Sequence, residues 1–270
     1  MKDTNSYHKT VKLMRNFFDE KNFIEVPTQP RLSILAACED PETVTSFSYE
    51  GLVWPLPQTG QMWLEYELLT NPETPGFYCI STSYRNEPNP VEGRHDKIFP
   101  MIEFETHGGM NALRDFEAEV CSHLGLEKPI VLNYEDACSK YDSRTLEAEQ
   151  EGYIQKDFGN SVSLENFPRR SSPFWNMKRN KNGFYNKIDV ILYGMETFGS
   201  AERATDVDQM RDDFYTISDG QYANLLFNKF GRDRVNSELE AYLSLPMIPR
   251  FGGGIGATRL ARALKLAGKI

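Results

Sequence analysis

No run of apolar residues in this chain approaches the roughly 20 needed to cross a bilayer. Its start, MKDTNSYHKTVKLMRNFFDE, lacks the apolar core of a secretory signal. Cysteine is scarce. Cys38, Cys79, Cys121 and Cys138 stand far apart with no CxxC pair, which argues against a thiolate zinc site and implies no disulfide framework. Excess positive charge is missing too. The formal net charge is −9, so the electrostatic footprint of a dedicated nucleic-acid-binding module is absent, although local basic contacts are not excluded. Internal repeats, low-complexity tracts and clear linkers are also lacking. Together these absences predict a cytoplasmic protein with scattered reduced thiols and a single domain over 1–270.

What is present is ordinary for a globular chain: 40% hydrophobic and 26% charged residues, in a length that can bury a sizeable core. Thr10 to Lys21 has the apolar spacing of an amphipathic helix, with Val11, Leu13, Met14, Phe17 and Phe18 on one face. NFIEVPTQP reads as a short strand stopped by prolines, and FYCISTSYR (77–85) and IFPMIEFETHG (98–108) as a hairpin around a long polar loop. Asn111 to Gly125 predicts a helix ended by glycine. The stretch 139–185 reads as polar and irregular, KIDVILYGMETFGSAER (187–203) as strand, turn and strand, and Asp206 to Phe230 and Ser237 to Leu245 as helical. Strands pair by hairpins more than by βαβ units. The expected class is therefore α+β, a largely antiparallel sheet flanked by helices.

FGGGIGATRLARAL (251–264) places four glycines in five positions before a helix-like pattern. It fits a dinucleotide fingerprint only formally, because no Asp or Glu follows Gly256 to hold a ribose. A phosphate-binding P-loop fails as well, because no Lys-Ser/Thr follows the glycines. Glycines do let backbone lie close to a ligand, and a loop opening onto a helix N-terminus suits an anion. Arg259 in that first turn opposes the helix dipole, which makes better sense beside a phosphate. The alternative is a plain glycine-rich start to a helix with a solvated arginine.

The hairpin is more specific. Arg85 and Glu87 end one strand, Arg94 and His95 sit in the returning loop, and Phe99, Glu103 and Glu105 follow. Glu103 and Glu105 are two apart and face the same side of a strand. Two carboxylates there need cations or a ligand, so a structural ion-pair network of Arg85 with Glu103 or Glu105 competes with a binding site.

These residues carry a family resemblance. Arg85-x-Glu87, then Arg94-His95-x-x-Ile98-Phe99-x-x-x-Glu103-x-Glu105, resembles motif 2 of class II aminoacyl-tRNA synthetases of the aspartate, asparagine and lysine subclass, with Ile98 replacing the family's glutamate beside the adenine. FGGGIGATR resembles motif 3, with Thr258 where an acidic residue is common, and NFIEVPTQP resembles motif 1, with one extra residue before Pro30. The three motifs stand in the family's order across nearly the whole chain.

The resemblance implies roles. ATP would be held by Arg85 at the α-phosphate and Glu87, by His95 near the β- and γ-phosphates, and by Phe99 stacked on adenine. Gly254 and Gly256 would leave room beneath the nucleotide, with Arg259 against the other adenine face and the γ-phosphate. Arg85 and Arg259 would be the catalytic cations, and Glu103 would accept the substrate α-ammonium. Asp189 and Glu196 match the family's magnesium pair, and hard carboxylate oxygens suit Mg²⁺. Glu196-x-x-Gly199-Ser200-x-x-Arg203 matches a pattern whose arginine reads an aspartate or asparagine side chain. Thr59-Gly60-Gln61-x-x-Leu64-Glu65 resembles the asparaginyl type, where Gln61 and Glu65 would face substrate and Glu65 would accept from an amide or orient ammonia.

Motif 1 begins at about residue 20, so no anticodon-binding barrel is expected. The implied activity is AMP-forming activation of aspartate, with ammonia displacing AMP to give asparagine. An aminoacyl-tRNA ligase or transfer to another amine is the alternative, tRNA being less favoured by the acidic charge. A non-catalytic regulatory paralogue is a third reading. A homodimer built on motif 1 is expected.

Overall fold

A computed structural model of the chain describes residues 3–27, 34, 43–90, 94, 96–171 and 173–270. Pro30, Cys38 and His95 lie outside the described residues.

In chain order the elements are α1 (Thr4–Glu20), β1 (Ile24–Glu25), β2 (Ser46–Tyr49), β3 (Leu52–Pro55), α2 (Gln61–Thr70), β4 (Gly76–Tyr84), β5 (Ile98–His107), α3 (Met110–His123), β6 (Ile130–Asn133), α4 (Tyr134–Lys140), α5 (Ala148–Phe158), β7 (Ser161–Phe167), β8 (Tyr185–Leu192), β9 (Met195–Glu202), α6 (Val207–Thr216), α7 (Gln221–Phe230), α8 (Arg232–Leu243), β10 (Arg250–Gly256) and α9 (Ala257–Leu266). Eight strands form one sheet in the order β1-β4-β5-β10-β9-β8-β7-β6, and β2 pairs with β3 apart from it. The inner pairings are antiparallel, and only the outermost, β1 with β4 and β6 with β7, are parallel. The class is the α+β expected.

Helix α1 begins earlier than its apolar spacing suggests. The Asp3 side chain accepts from Ser6 N at 3.0 Å and caps a polar first turn that carries no periodic signal. Its buried face packs Phe18 on Tyr78 with ring centroids 4.4 Å apart. Together with α3 and α9 it covers one face of the sheet, where Phe104, Phe251, Ile255, Phe198 and Val190 point. On the other face, Leu64 and Leu68 of α2 pack on Phe77 and Cys79. Trp175, Phe214, Tyr222 and Tyr242 form a further core beneath α6, α7 and α8.

The glycine run departs from the loop expected. Residues 250–256 form strand β10, paired with β5 on one side and β9 on the other. Ladder bonds on both edges override glycine's low strand preference. Close packing also demands it: a Cβ on Gly253 would lie 2.5 Å from Ser200 Cβ and 2.8 Å from Gly199 O. Helix α9 starts at once at Ala257.

The 139–185 stretch is not irregular either, since it holds α5 and β7. Helix α5 buries only Glu151 and Ile154, so it shows almost no apolar period. The helical run from Asp206 breaks after Thr216, where Ser218, Asp219 and Gly220 take φ of 51, 53 and 80°.

Candidate active site

Strand alternation puts Phe99, Met101, Glu103 and Glu105 of β5 on one face, opposite the helices α1, α3 and α9. Register aligns Gly252 with Glu105 and Gly254 with Glu103, and on the other side Gly254 with Gly199. A cavity of about 290 Å³ opens on this face. The hairpin lines it with Arg85, Glu87, Arg94, Asp96, Phe99 and Met101, and the approach to α2 with Gln58, Thr59 and Gln61. Glu196, Thr197 and Gly199 come from β9, and Gly254, Gly256, Thr258 and Arg259 from β10 and α9. Four segments distant in sequence thus meet. Glycine keeps the floor open. A Cβ on Gly254 would lie 2.7 Å from Met101 Cε and 2.9 Å from Gln61 Nε2.

The Arg85 guanidinium sits 5.4 Å from the Phe99 ring centroid. Arg259 Nη1 donates to Glu196 O at 2.8 Å and lies 3.6 Å from Glu196 Oε2. Asp189 Oδ1 and Glu196 Oε1 lie 3.6 and 3.4 Å from where a Gly199 Cβ would stand, and both residues line a cavity that adjoins the first. Asp189 Oδ2 also accepts from Lys187 Nζ at 2.7 Å. Two hard carboxylate oxygens on one cavity suit Mg²⁺, which completes its shell with phosphate oxygens and water. Among the described residues no group of three or more His, Cys, Asp and Glu could hold a metal.

Behind the cavity lies a buried charged layer. Glu103 accepts from Thr59 Oγ1, Ser81 Oγ and Gly60 N, the last at 2.8 Å. Burial raises its pKa, and these donors oppose the rise. Glu105 pairs with Arg203 Nη2 at 3.1 Å, and burial still pushes its carboxyl up to about 8. The cation on Glu105 is thus Arg203, whereas Glu103 is held by hydroxyl and amide donors, and Arg85 lines the cavity at the hairpin mouth. Arg203 is only 2% exposed and its Nη2 also donates to Gln61 Oε1 at 3.0 Å, so it stands one layer behind Gln61.

Glu103, like Arg203, stands behind the cavity wall and not in its lining, and two further expected substrate contacts lie elsewhere. Ser200 faces the opposite side of the sheet, where its Oγ donates to Glu117 and to Ile188 O, because alternation on β9 gives the cavity Gly199 instead. Glu65 is fully buried and already accepts from Asn176 Nδ2 at 2.6 Å, Tyr242 Oη at 2.7 Å and Arg250 Nη2 at 2.8 Å. That saturated carboxylate is structural and does not line the cavity. Sequence reasoning missed Gln58, Met101, Asp96 and the buried Arg250. Parity on β5 pointed to Met101, and nothing local marks an arginine that pairs across the fold.

A family model described as tRNA synthetases class II (D, K and N) matches residues 4–270. No curated protein matches the chain by sequence. Among solved structures, an asparaginyl-tRNA synthetase from Pyrococcus horikoshii complexed with asparaginyl-adenylate is similar, with a TM-score of 0.80 at 17% identity over 97% of this chain and 64% of that one. An asparaginyl-tRNA synthetase from Entamoeba histolytica, also with asparaginyl-adenylate, gives 0.77 at 16% identity over 96% of this chain and 62% of that one. A putative aspartyl-tRNA synthetase from Leishmania major Friedlin gives 0.75 at 14% identity over 96% and 61%. The chain spans less than two thirds of the length of these structures. The likeness is one of fold.

Proposed function

The chain belongs to the class II tRNA synthetase family of the D, K and N group, and from that premise we propose that it is an ATP-dependent, AMP-forming ligase acting on aspartate or asparagine. One observation carries this reading: Arg85, Phe99, Arg259, Glu196 and Gly254 share a single cavity with Gln61, behind which Arg203 waits. The nucleotide end and the amino-acid end are therefore contiguous.

Chemistry assigns the steps. A substrate carboxylate oxygen attacks the α-phosphorus, the bond to pyrophosphate breaks, and an acyl-adenylate forms. Arg85 neutralises charge at the α-phosphate, and Phe99 provides a face for adenine. Arg259 neutralises the distal phosphates. Asp189 and Glu196 would hold Mg²⁺, whose charge offsets that of the triphosphate. Glu103 is fully buried behind Thr59 and Gly60, from which it accepts, so it orients Thr59 at the cavity wall instead of meeting the substrate ammonium itself. Arg203 reads the substrate's other carboxylate or amide, the one that is not adenylated, through or beside Gln61. Positioning and charge neutralisation do most of the work, with no covalent enzyme intermediate.

For the second step we infer ammonia as acceptor. Its nitrogen attacks the acyl carbon of β-aspartyl-adenylate, AMP leaves, and asparagine forms. The net charge of −9 supports a small neutral acceptor over a polyanion. The family description favours the second reading, transfer to tRNA. Amino-acid-dependent AMP release, measured side by side with ammonia and with tRNA, separates them. Asparagine formed from aspartate, ATP and ammonia alone supports the first, and release stimulated only by tRNA overturns it. We also propose a homodimer, read out by light scattering as twice the 31.0 kDa chain mass.

A further inference from the structure

A second cavity, of about 390 Å³, lies beside the first and shares Glu196 with it. Glu151 of α5 lines this second cavity. Its carboxylate has two oxygens, and each is committed to a different wall of the nucleotide cavity. Arg94 Nη2 donates to Oε1, and Glu196 N donates to Oε2 at 2.7 Å. The Arg94 and Glu151 side chains are only 14% and 8% exposed. Arg94 belongs to the β4–β5 connection, Glu196 opens β9, and Glu151 comes from neither. One acid thus ties a loop arginine and a strand backbone to the same helix.

A guanidinium carries five N–H donors, and the bond to Glu151 uses one nitrogen of Arg94. The rest of the side chain lines the cavity that the proposed function gives to ATP. We propose that Glu151 is a positioning residue that fixes Arg94 as a phosphate-binding cation at the mouth of the nucleotide site. The inference rests on the ATP reading above. Its physical basis is pre-organisation: a long side chain on a loop loses rotamer freedom when it closes on a polyanion, and a partner that already holds it reduces that loss. A competing role, ion pairing for stability alone, would leave ATP binding unaffected.

The test is ATP binding by calorimetry on the full chain. Arg94→Ala and Glu151→Ala should each weaken ATP binding about tenfold, as expected for one charge-assisted contact to phosphate. Arg94→Ala/Glu151→Gln should be no weaker than Arg94→Ala, because the glutamine keeps an acceptor for Glu196 N–H and Glu151 acts on ATP through Arg94. Glu151→Gln keeps an oxygen for the Glu196 N–H but not the ion pair, so it should match Glu151→Ala, and it replaces that variant if the alanine form fails to fold. The KM for the amino acid should not move. Glu149→Gln, on the exposed side of the same helix, should bind ATP as wild type does. Glu151 variants that bind ATP normally while Arg94→Ala does not, or losses that multiply in the double variant, overturn the inference alone. A wild-type chain that binds no ATP overturns the ATP reading and this inference with it.

Discussion

Arg203 concentrates the chemistry of the side-chain site in one buried guanidinium. Its fork is divided between Glu105 and Gln61, and Glu65 lies 3.3 Å from its Nε. Arg203→Ala leaves Glu105 buried opposite Glu65 with a cation missing between them. The expected cost is about 3–5 kcal/mol in denaturant unfolding, together with loss of discrimination between aspartate or asparagine and other amino acids. Arg203→Lys keeps the charge but not the fork, so the fold should survive better than selectivity does. Unchanged selectivity in either variant would contradict the assignment. Motif spacing singled out Gln61, Arg85 and Arg259, which line the cavity, and Arg203, which donates to Gln61. It misplaced Ser200 and Glu65, because the face of a strand residue is set by register, and a carboxylate's partners come from segments far away in sequence. Glu65 meets Asn176, Tyr242 and Arg250, none of which its neighbourhood predicts.

Strand β10 shows how a glycine run works as an element. At Gly253 a methyl group would meet the Gly199 carbonyl and Ser200 backbone, which cannot swing aside. At Gly254 it would meet the ends of the Met101 and Gln61 side chains, which can. Gly253→Ala should therefore lose about 1–3 kcal/mol of stability by thermal or denaturant unfolding. Gly254→Ala should stay folded but raise the KM for the amino acid, as its methyl drives Gln61 and Met101 into the cavity. Equal stability losses in both would contradict this division. Composition made the glycines conspicuous, yet it could not tell loop from strand, since the decision lies in pairing with β5 and β9. Helix α5 was hidden for the opposite reason. Its buried residues are too few to write a period, although it carries Glu151.

For the molecule as a whole, the motif order and the hairpin pattern were enough to foresee an antiparallel sheet flanked by helices. The paired edge strands β6 and β7 were not foreseen, because they depend on the polar segment between the hairpin and β8. The buried acids also set a global property. Burial raises the pKa of Glu103, Glu105 and Glu117, Glu105 to about 8. Each binds its proton more tightly in the folded chain than in the unfolded one, where it titrates in the usual carboxylate range. Their stabilising contribution is full below that range and fades as pH rises toward about 8. Glu25, Glu135 and Glu240 shift the other way, through hydrogen bonds from Arg15, Arg170 and Arg211, and lose theirs as pH falls. The Tm should peak on the acid side of neutrality and decline toward about pH 8. Glu117→Gln, on the far side of the sheet from the cavity, should flatten that decline. A Tm rising steadily over the same interval would contradict the buried-acid assignment.

The central claim is that the shared cavity makes an acyl-adenylate. ATP–pyrophosphate exchange, run with each of the common amino acids, tests it without reference to any acceptor. The expected result is exchange that depends on aspartate or asparagine and disappears in Arg85→Ala and Arg259→Ala. No exchange with any amino acid, or exchange indifferent to those two arginines, would contradict it.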